Sequence, residues 1–277
     1  MTSNAAQCPS ASKSKAAQDH EDTAVRETLD RIRHKFLVMS GKGGVGKTSV
    51  SVNLAMALAE RGHRVGLMDI DIHGPDIPRM LGLNGNLEGS GSKLKPLAYS
   101  PGLCAVSVES LLPNRDDAVI WRGPLKHSFI RQFIGDVEWG PLDYLVIDSP
   151  PGTGDEPLTI AQSIPDARAI IVTTPQEVSL GDVRKSISFC KTVKMEIFGI
   201  IENMSGFVCP HCKQPVQLFG SGGGRELAAS SGIRFLGHIP FDMNIVSCGD
   251  QGASFLKNFK NSQAAKAFDS IASAICQ

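Results

Sequence analysis

Residues 41–48 read Gly-Lys-Gly-Gly-Val-Gly-Lys-Thr, after the apolar run Phe36-Leu37-Val38-Met39 and ahead of a helical pattern. No other stretch constrains the fold as tightly. Glycines let a backbone turn back without Cβ clashes, so successive N–H groups converge on one anion. The helix that follows adds partial positive charge at its N-terminus. Strand, glycine loop, Lys-Thr and helix, in that order, form a phosphate-binding P-loop. Gly41, Lys42, Gly43, Gly44, Val45, Gly46 and Ser49 would line it, Lys47 would reach the outer phosphates, and the Thr48 hydroxyl would ligate Mg²⁺. The spacing Gly41-x-Gly43-x-x-Gly46 also fits a dinucleotide fingerprint, with Asp69 near the position of a ribose-binding acid. That fingerprint does not require Lys-Thr after its last glycine, whereas a P-loop does. A plain glycine turn would need neither Lys42 nor Lys47.

The rest of the chain alternates. Val50, Leu54, Ala57 and Leu58 mark one helix face, and Val65 to Met68 is a buried-strand pattern ending at Asp69. Further strands are expected near 104–108, 143–148, 168–173, 196–201 and 234–239. Helices are expected near 124–135, 155–163, 179–194, 221–230 and 260–275. This predicts an α/β fold: one P-loop NTPase domain with a mostly parallel sheet covered on both faces. The 277 residues suffice for one such domain, here taken as 25–277. Residues 1–24 read as a flexible tail, rich in Ala, Ser, Lys and Gln. Val25, Leu29 and Ile32 suggest a short helix leading into the first strand, and the Gly- and Ser-rich segment 84–96 reads as a mobile loop. Phe255, Phe259, Phe268, Ile271 and Ile275 form a terminal apolar pattern. Its thin basic face favours packing on the sheet over membrane targeting.

Two acidic segments belong near the phosphates. Asp69-Ile70-Asp71 follows the second strand, and carboxyl ends of parallel strands line the ligand crevice. One of the two aspartates is suited to orienting water or acting as a base. Asp143 to Asp148 is an apolar strand ending in an acid, a Walker B pattern whose carboxylate would hold Mg²⁺ through water or through Thr48. Gly152, after two prolines, is placed to offer its N–H to a γ-phosphate. Asn203, after a strand, is suited to reading adenine, and a turn-forming role is the alternative. The guanine motif Asn/Thr-Lys-x-Asp is absent, which favours ATP over GTP.

The chain has seven cysteines, and only Cys209 and Cys212 are close, in Cys209-Pro210-His211-Cys212. Two thiolates complete neither a zinc site nor a [4Fe–4S] cluster. A twofold dimer would supply four thiolates at one interface. A redox dithiol is the alternative, although the pair does not open a helix. Cys104, Cys190 and Cys276 resemble small apolar residues in strands or helices. Basic and acidic residues balance at 28 each, which gives no global reason to expect nucleic acid. No apolar run spans a bilayer, and the N-terminus lacks a signal core while carrying Asp19, Glu21 and Asp22. A cytoplasmic protein without a membrane partner is expected.

Lys42, directly after the first glycine, resembles the deviant Walker A loop of the dimeric ATPases that include the arsenic-pump, Min, Par and nitrogenase-reductase proteins. That resemblance implies a homodimer in which Lys42 contacts nucleotide across the interface. A closer resemblance rests on Ser40 to Thr48, Asp69-Ile-Asp-Ile-His-Gly-Pro-Asp76, Trp121-Arg-Gly-Pro124, Asp148-Ser-Pro-Pro-Gly-Thr-Gly-Asp155, Glu202-Asn-Met-Ser205 and Cys209-Pro-His-Cys212. Together they are similar to the Mrp/ApbC/NBP family of iron–sulfur cluster carrier ATPases, over roughly residues 30 to 275. The resemblance implies a labile [4Fe–4S] cluster held between subunits by Cys209 and Cys212. The cluster would come from donors and pass to apoproteins, with ATP binding or slow hydrolysis gating the cycle. It also implies that Asp71 positions the attacking water and that Asp69 supports the metal site, with Lys42 and Lys47 catalytic. Two departures matter. Cys8 is the only tail cysteine where eukaryotic NBP-type members have four, so no N-terminal cluster is expected, and the small N-terminal domain of many bacterial Mrp proteins is missing. A Min/Par-type positioning ATPase and a dimeric ATPase with structural zinc are the competing readings.

Overall fold

The computed structural model describes residues 15–277 apart from 73, 91–92, 112–122, 210 and 213, so Cys8 and Trp121 lie outside the described residues. The chain runs through α1 (Lys15–Leu29), β1 (Ile32–Ser40), α2 (Lys47–Glu60), β2 (Val65–Asp69) and α3 (Ile77–Met80). A hairpin of β3 (Glu88–Ser90) and β4 (Lys93–Lys95) follows, then β5 (Leu97–Ser100), β6 (Leu103–Ser107), a 3₁₀ turn Val108–Leu111 and α4 (Gly123–Gly135). Next come β7 (Leu142–Asp148), α5 (Asp155–Ser163), β8 (Arg168–Thr173), α6 (Glu177–Thr192) and β9 (Glu196–Glu202). The last part holds a hairpin of β10 (Phe207–Val208) and β11 (Pro215–Val216), then α7 (Gly223–Ser231), β12 (Phe235–His238), α8 (Met243–Asp250), α9 (Phe255–Asn258) and α10 (Gln263–Ile275).

Eight strands form one sheet in the order β12-β9-β8-β1-β7-β2-β6-β5, parallel throughout except for the edge strand β5. The expected α/β architecture is thus present. β1 is central because Phe36, Leu37, Val38 and Met39 are all fully buried. Alternation sends Leu37 and Met39 into an apolar layer shared with α1, α4, α5, α6 and α7. Phe36 and Val38 point into the opposite layer, under α2, α3, α8, α9 and α10. Successive strands β7 and β8 lie on opposite sides of β1, so the carboxyl end of β1 opens onto the crevice where parallel sheets bind ligands.

Three expectations need correction. α1 begins at Lys15, well inside the segment read as tail. Its hold on the body is partly ionic, since Arg131 on α4 pairs with Glu21 and Asp22, and an apolar pattern cannot reveal that. Ile32 opens β1 rather than ending the helix. The segment 84–96 contains the β3–β4 hairpin, tied down by Leu94, whose N–H and carbonyl bond Asp136 and Glu138. Partly buried Leu94, together with the Lys93 ammonium on the Gly135 carbonyl at 2.6 Å, anchors it, too little to show as apolar periodicity. At the C-terminus, Phe255, Phe268, Ile271 and Ile275 are buried against the sheet, as the packing alternative required. Among the described residues no helix is long and apolar enough to cross a membrane.

Candidate functional site

The glycine loop joins β1 to α2. Gly44 and Gly46 have φ of 79° and 76°, left-handed values that a side chain would strain, and this turns the loop back over the start of α2. No side chain caps α2 at Gly46, so its first N–H groups are left for an anion. Val45 is buried beneath the loop, Ser49 and Lys42 are half-buried, and Gly41 abuts α6 at Asp182. The Ser40 hydroxyl donates to the Lys42 carbonyl at 2.9 Å, which pins the loop at its first turn.

The carboxylates meet through sheet register. Asp69 and Asp148 are direct partners at the ends of β2 and β7. Asp148 is fully buried and accepts from Lys47 Nζ and Thr48 Oγ1, both at 2.8 Å on Oδ2, and from Ser51 Oγ on Oδ1. Asp69 accepts from the Asp71 N–H at 3.1 Å and from Ser107 Oγ at 3.0 Å. Burial, and then the neighbouring Asp148 carboxylate, push the Asp69 carboxyl well above the usual range. Thr48, Asp69 and Asp148 offer hard oxygen ligands of the kind Mg²⁺ prefers. In their present arrangement the Lys47 ammonium balances Asp148.

Several residues differ from expectation. Lys47, expected on the outer phosphates, is paired with Asp148, because a buried carboxylate demands a countercharge. Asp71 lies past the end of β2, where its backbone N–H bonds the Asp69 carboxylate. Gly152 donates its N–H to the Ser40 carbonyl at 2.8 Å and is therefore not aimed at a phosphate. Asn203 is buried, with Nδ2 on the Val45 carbonyl at 2.9 Å. The cavity beside it, lined by Gly46, Ser49, Met204, Phe241 and Ile245, is about 40 Å³, too small for a purine ring. Asn203 thus fastens the P-loop to the end of β9 in this state.

Cys209 and Cys212 sit in the turn between β10 and β11, half-buried and exposed respectively. The Cys209 N–H bonds the Gln214 carbonyl at 3.0 Å, which closes the turn. Among the described residues no three His, Cys, Asp or Glu side chains are grouped to hold a metal. Burial pushes the Cys104 and Cys190 thiols up to about 11, in keeping with their apolar roles. Cys276 departs from its expected role, since its thiol is exposed and 3.2 Å from His63 Nε2.

Sequence reasoning missed Ser51, Ser107 and Glu202. Ser51 stands one turn beyond Thr48 on α2, and that spacing was legible. Ser107 faces Asp69 only through the pairing of β2 with β6. Glu202, an acid ending an apolar strand like Asp148, is fully buried.

With this geometry in place, comparison with known proteins is direct. The model of the NUBPL iron-transfer P-loop NTPase family matches residues 31–276. The chain is 52% identical over 247 residues to the iron–sulfur cluster carrier protein of Methanocaldococcus jannaschii, covering 88% of this chain and 84% of that one. It is 45% identical over 258 residues to the cytosolic Fe–S cluster assembly factor NUBP2 of Rattus norvegicus, covering 91% and 95%. Among solved structures, the nucleotide-binding protein of Archaeoglobus fulgidus in complex with ADP superposes with a TM-score of 0.74 at 41% identity, over 83% of this chain and 91% of that one. The septum site-determining protein MinD of Pyrococcus horikoshii, at 21% identity and a TM-score of 0.66, shares the fold. The P-loop with its buried, paired carboxylates and the turn that carries Cys209 and Cys212 are therefore those of a member of the NUBPL iron-transfer P-loop NTPase family.

Proposed function

We propose that this protein is an ATP-dependent iron–sulfur cluster carrier, which holds a [4Fe–4S] cargo between two copies of the chain and passes it to apoproteins. The observation that carries the reading is the Cys209–Cys212 pair on an exposed hairpin turn, in a chain whose relatives bear carrier and assembly names. Two thiolates per chain leave half of a four-iron cluster unligated, and a second copy supplies the other half. Lys42, in the half-buried first turn of the P-loop, reaches the partner's nucleotide across the same interface. The cytoplasm, named for the NUBP2 relatives, is the site of action. Cluster donors and apo iron–sulfur proteins are the partners.

On nucleotide binding, the free N–H groups at the start of α2 take the phosphates, and Lys47 exchanges Asp148 for the outer phosphate oxygens. Asp148 and Thr48, with Asp69 behind them, would hold Mg²⁺, which would supply charge neutralisation at the phosphates. Asp71 orients the attacking water. Gly152 turns its N–H from Ser40 to the γ-phosphate, which moves the loop after β7. The base enters beside Asn203 once the small cavity there opens.

Anaerobic reconstitution, with iron counting and absorption spectroscopy, tests this reading. The expected result is an iron-loaded dimer with about four irons per two chains. Zinc in protein purified without oxygen would make the cysteines structural, and full iron binding by Cys209→Ala or Cys212→Ala would end the carrier reading.

A further inference from the structure

We infer that Glu202 and Asn203 form a rigid link that carries the state of the nucleotide loop to the cysteine turn, with Glu202 as its positioning residue. The inference rests on the carrier reading above and names the element that couples its two halves.

The two residues are adjacent at the end of β9, yet they grip different machinery. Asn203 holds the P-loop through the Val45 carbonyl, and its own N–H is fixed to Thr173 at the end of β8. Glu202 faces the other way. Its carboxylate accepts from Ser205 Oγ and the Gly222 N–H on Oε1, and from the Gly224 N–H on Oε2. Ser205 lies on the chain entering the cysteine hairpin, and Gly222 and Gly224 lie on the chain leaving it. One buried carboxylate therefore clamps both ends of the segment that carries Cys209 and Cys212.

The clamp also explains how a fully buried acid is tolerated. Gly222 is the N-cap of α7 and offers no side chain, so Glu202 takes the orphan N–H groups of that helix from outside and meets its positive end. Further bonds close the neck above it, from the Gly206 N–H to Gly220 and from the Phe241 N–H to Gly206. Phe241 packs edge-on against both Phe207 and Phe219, which extends the brace into the hairpin. Between the two grips, Met204 has φ of 55°, a left-handed value rare for a side-chain-bearing residue. Such strain persists only where the surroundings fix it on both sides, as Asn203 and Ser205 do here. A shift of Val45 on nucleotide binding is thus transmitted through two consecutive residues to the base of the turn, with no flexible segment intervening.

The test compares cluster transfer to an iron chelator with and without ATP and Mg²⁺, in iron-loaded protein. In the wild type we expect nucleotide to change the rate by about fivefold or more. In Glu202→Gln the amide meets the Gly224 N–H donor to donor, and the nucleotide effect should fall to within about twofold of none, while ATP affinity and iron content stay within about twofold of wild type. Ser205→Ala, which removes one bond of the three, should retain an intermediate effect and serves if Glu202→Gln does not fold. An undiminished nucleotide effect in either folded, iron-loaded variant overturns the link and leaves the carrier reading standing. A wild type that takes up no cluster overturns the carrier reading itself, and a loaded wild type indifferent to nucleotide overturns the link.

Discussion

The carboxyl ends of β1, β2 and β7 and the β10–β11 hairpin are opposite kinds of site. At the first, Asp69, Asp148 and Lys47 are almost wholly buried, and each is paired with a side chain of the same chain. At the second, two-residue strands present Cys212 to solvent with no third ligand grouped nearby among the described residues. Buried charge must be balanced before a ligand arrives, so Lys47 and Asp148 are already paired. A turn that presents a thiol to solvent needs no such internal balance. The difference teaches that burial decides which polar groups must be paired within the chain.

Substitutions can break this contrast. Asp148→Ala should have the largest effect. It strips Lys47 of its buried partner, and we expect about 3–5 kcal/mol of lost stability by urea denaturation. A loss below about 1 kcal/mol would mean that Lys47 finds water and that the floor of the site is open. Lys47→Ala should weaken ATP binding by about 10- to 100-fold in titration calorimetry, as loss of a charge-assisted bond requires.

Asp69 gives the contrast a pH dependence. Its folded pKa is raised, so its favourable contribution is full below the unfolded value and is lost as pH rises through the folded one. Without nucleotide, Asp69→Asn should therefore gain stability relative to wild type as pH rises. An Asn can still accept from the Asp71 N–H and donate to Ser107 Oγ, so the contacts survive. A wild-type-minus-variant difference that is flat with pH would show that Asp69 titrates normally. The smallest effect on stability belongs to Cys212→Ser, within about 0.5 kcal/mol by the same denaturation, although iron binding should be lost. A large destabilisation there would make the turn a structural element and erase the comparison.

Much of the fold was legible in the sequence, because the parallel strands are buried on both faces and read as unbroken apolar runs such as 36–39 and 144–147. Elements held by backbone pairing or by charge, such as the β3–β4 hairpin and the first turns of α1, leave no such trace. The sequence by itself determined the P-loop, the acid-ended strands and the cysteine pair, since each depends on residues close together along the chain. Tertiary structure alone decided that Asp69 lies beside Asp148, that Lys47 rests on Asp148, and that Gly152 bonds Ser40 while Asn203 bonds Val45. It also decided what the glycine loop is attached to. The bond from Asn203 to Val45 spans 158 residues of chain, and sheet register, which no local pattern encodes, sets which distant side chains share a strand end.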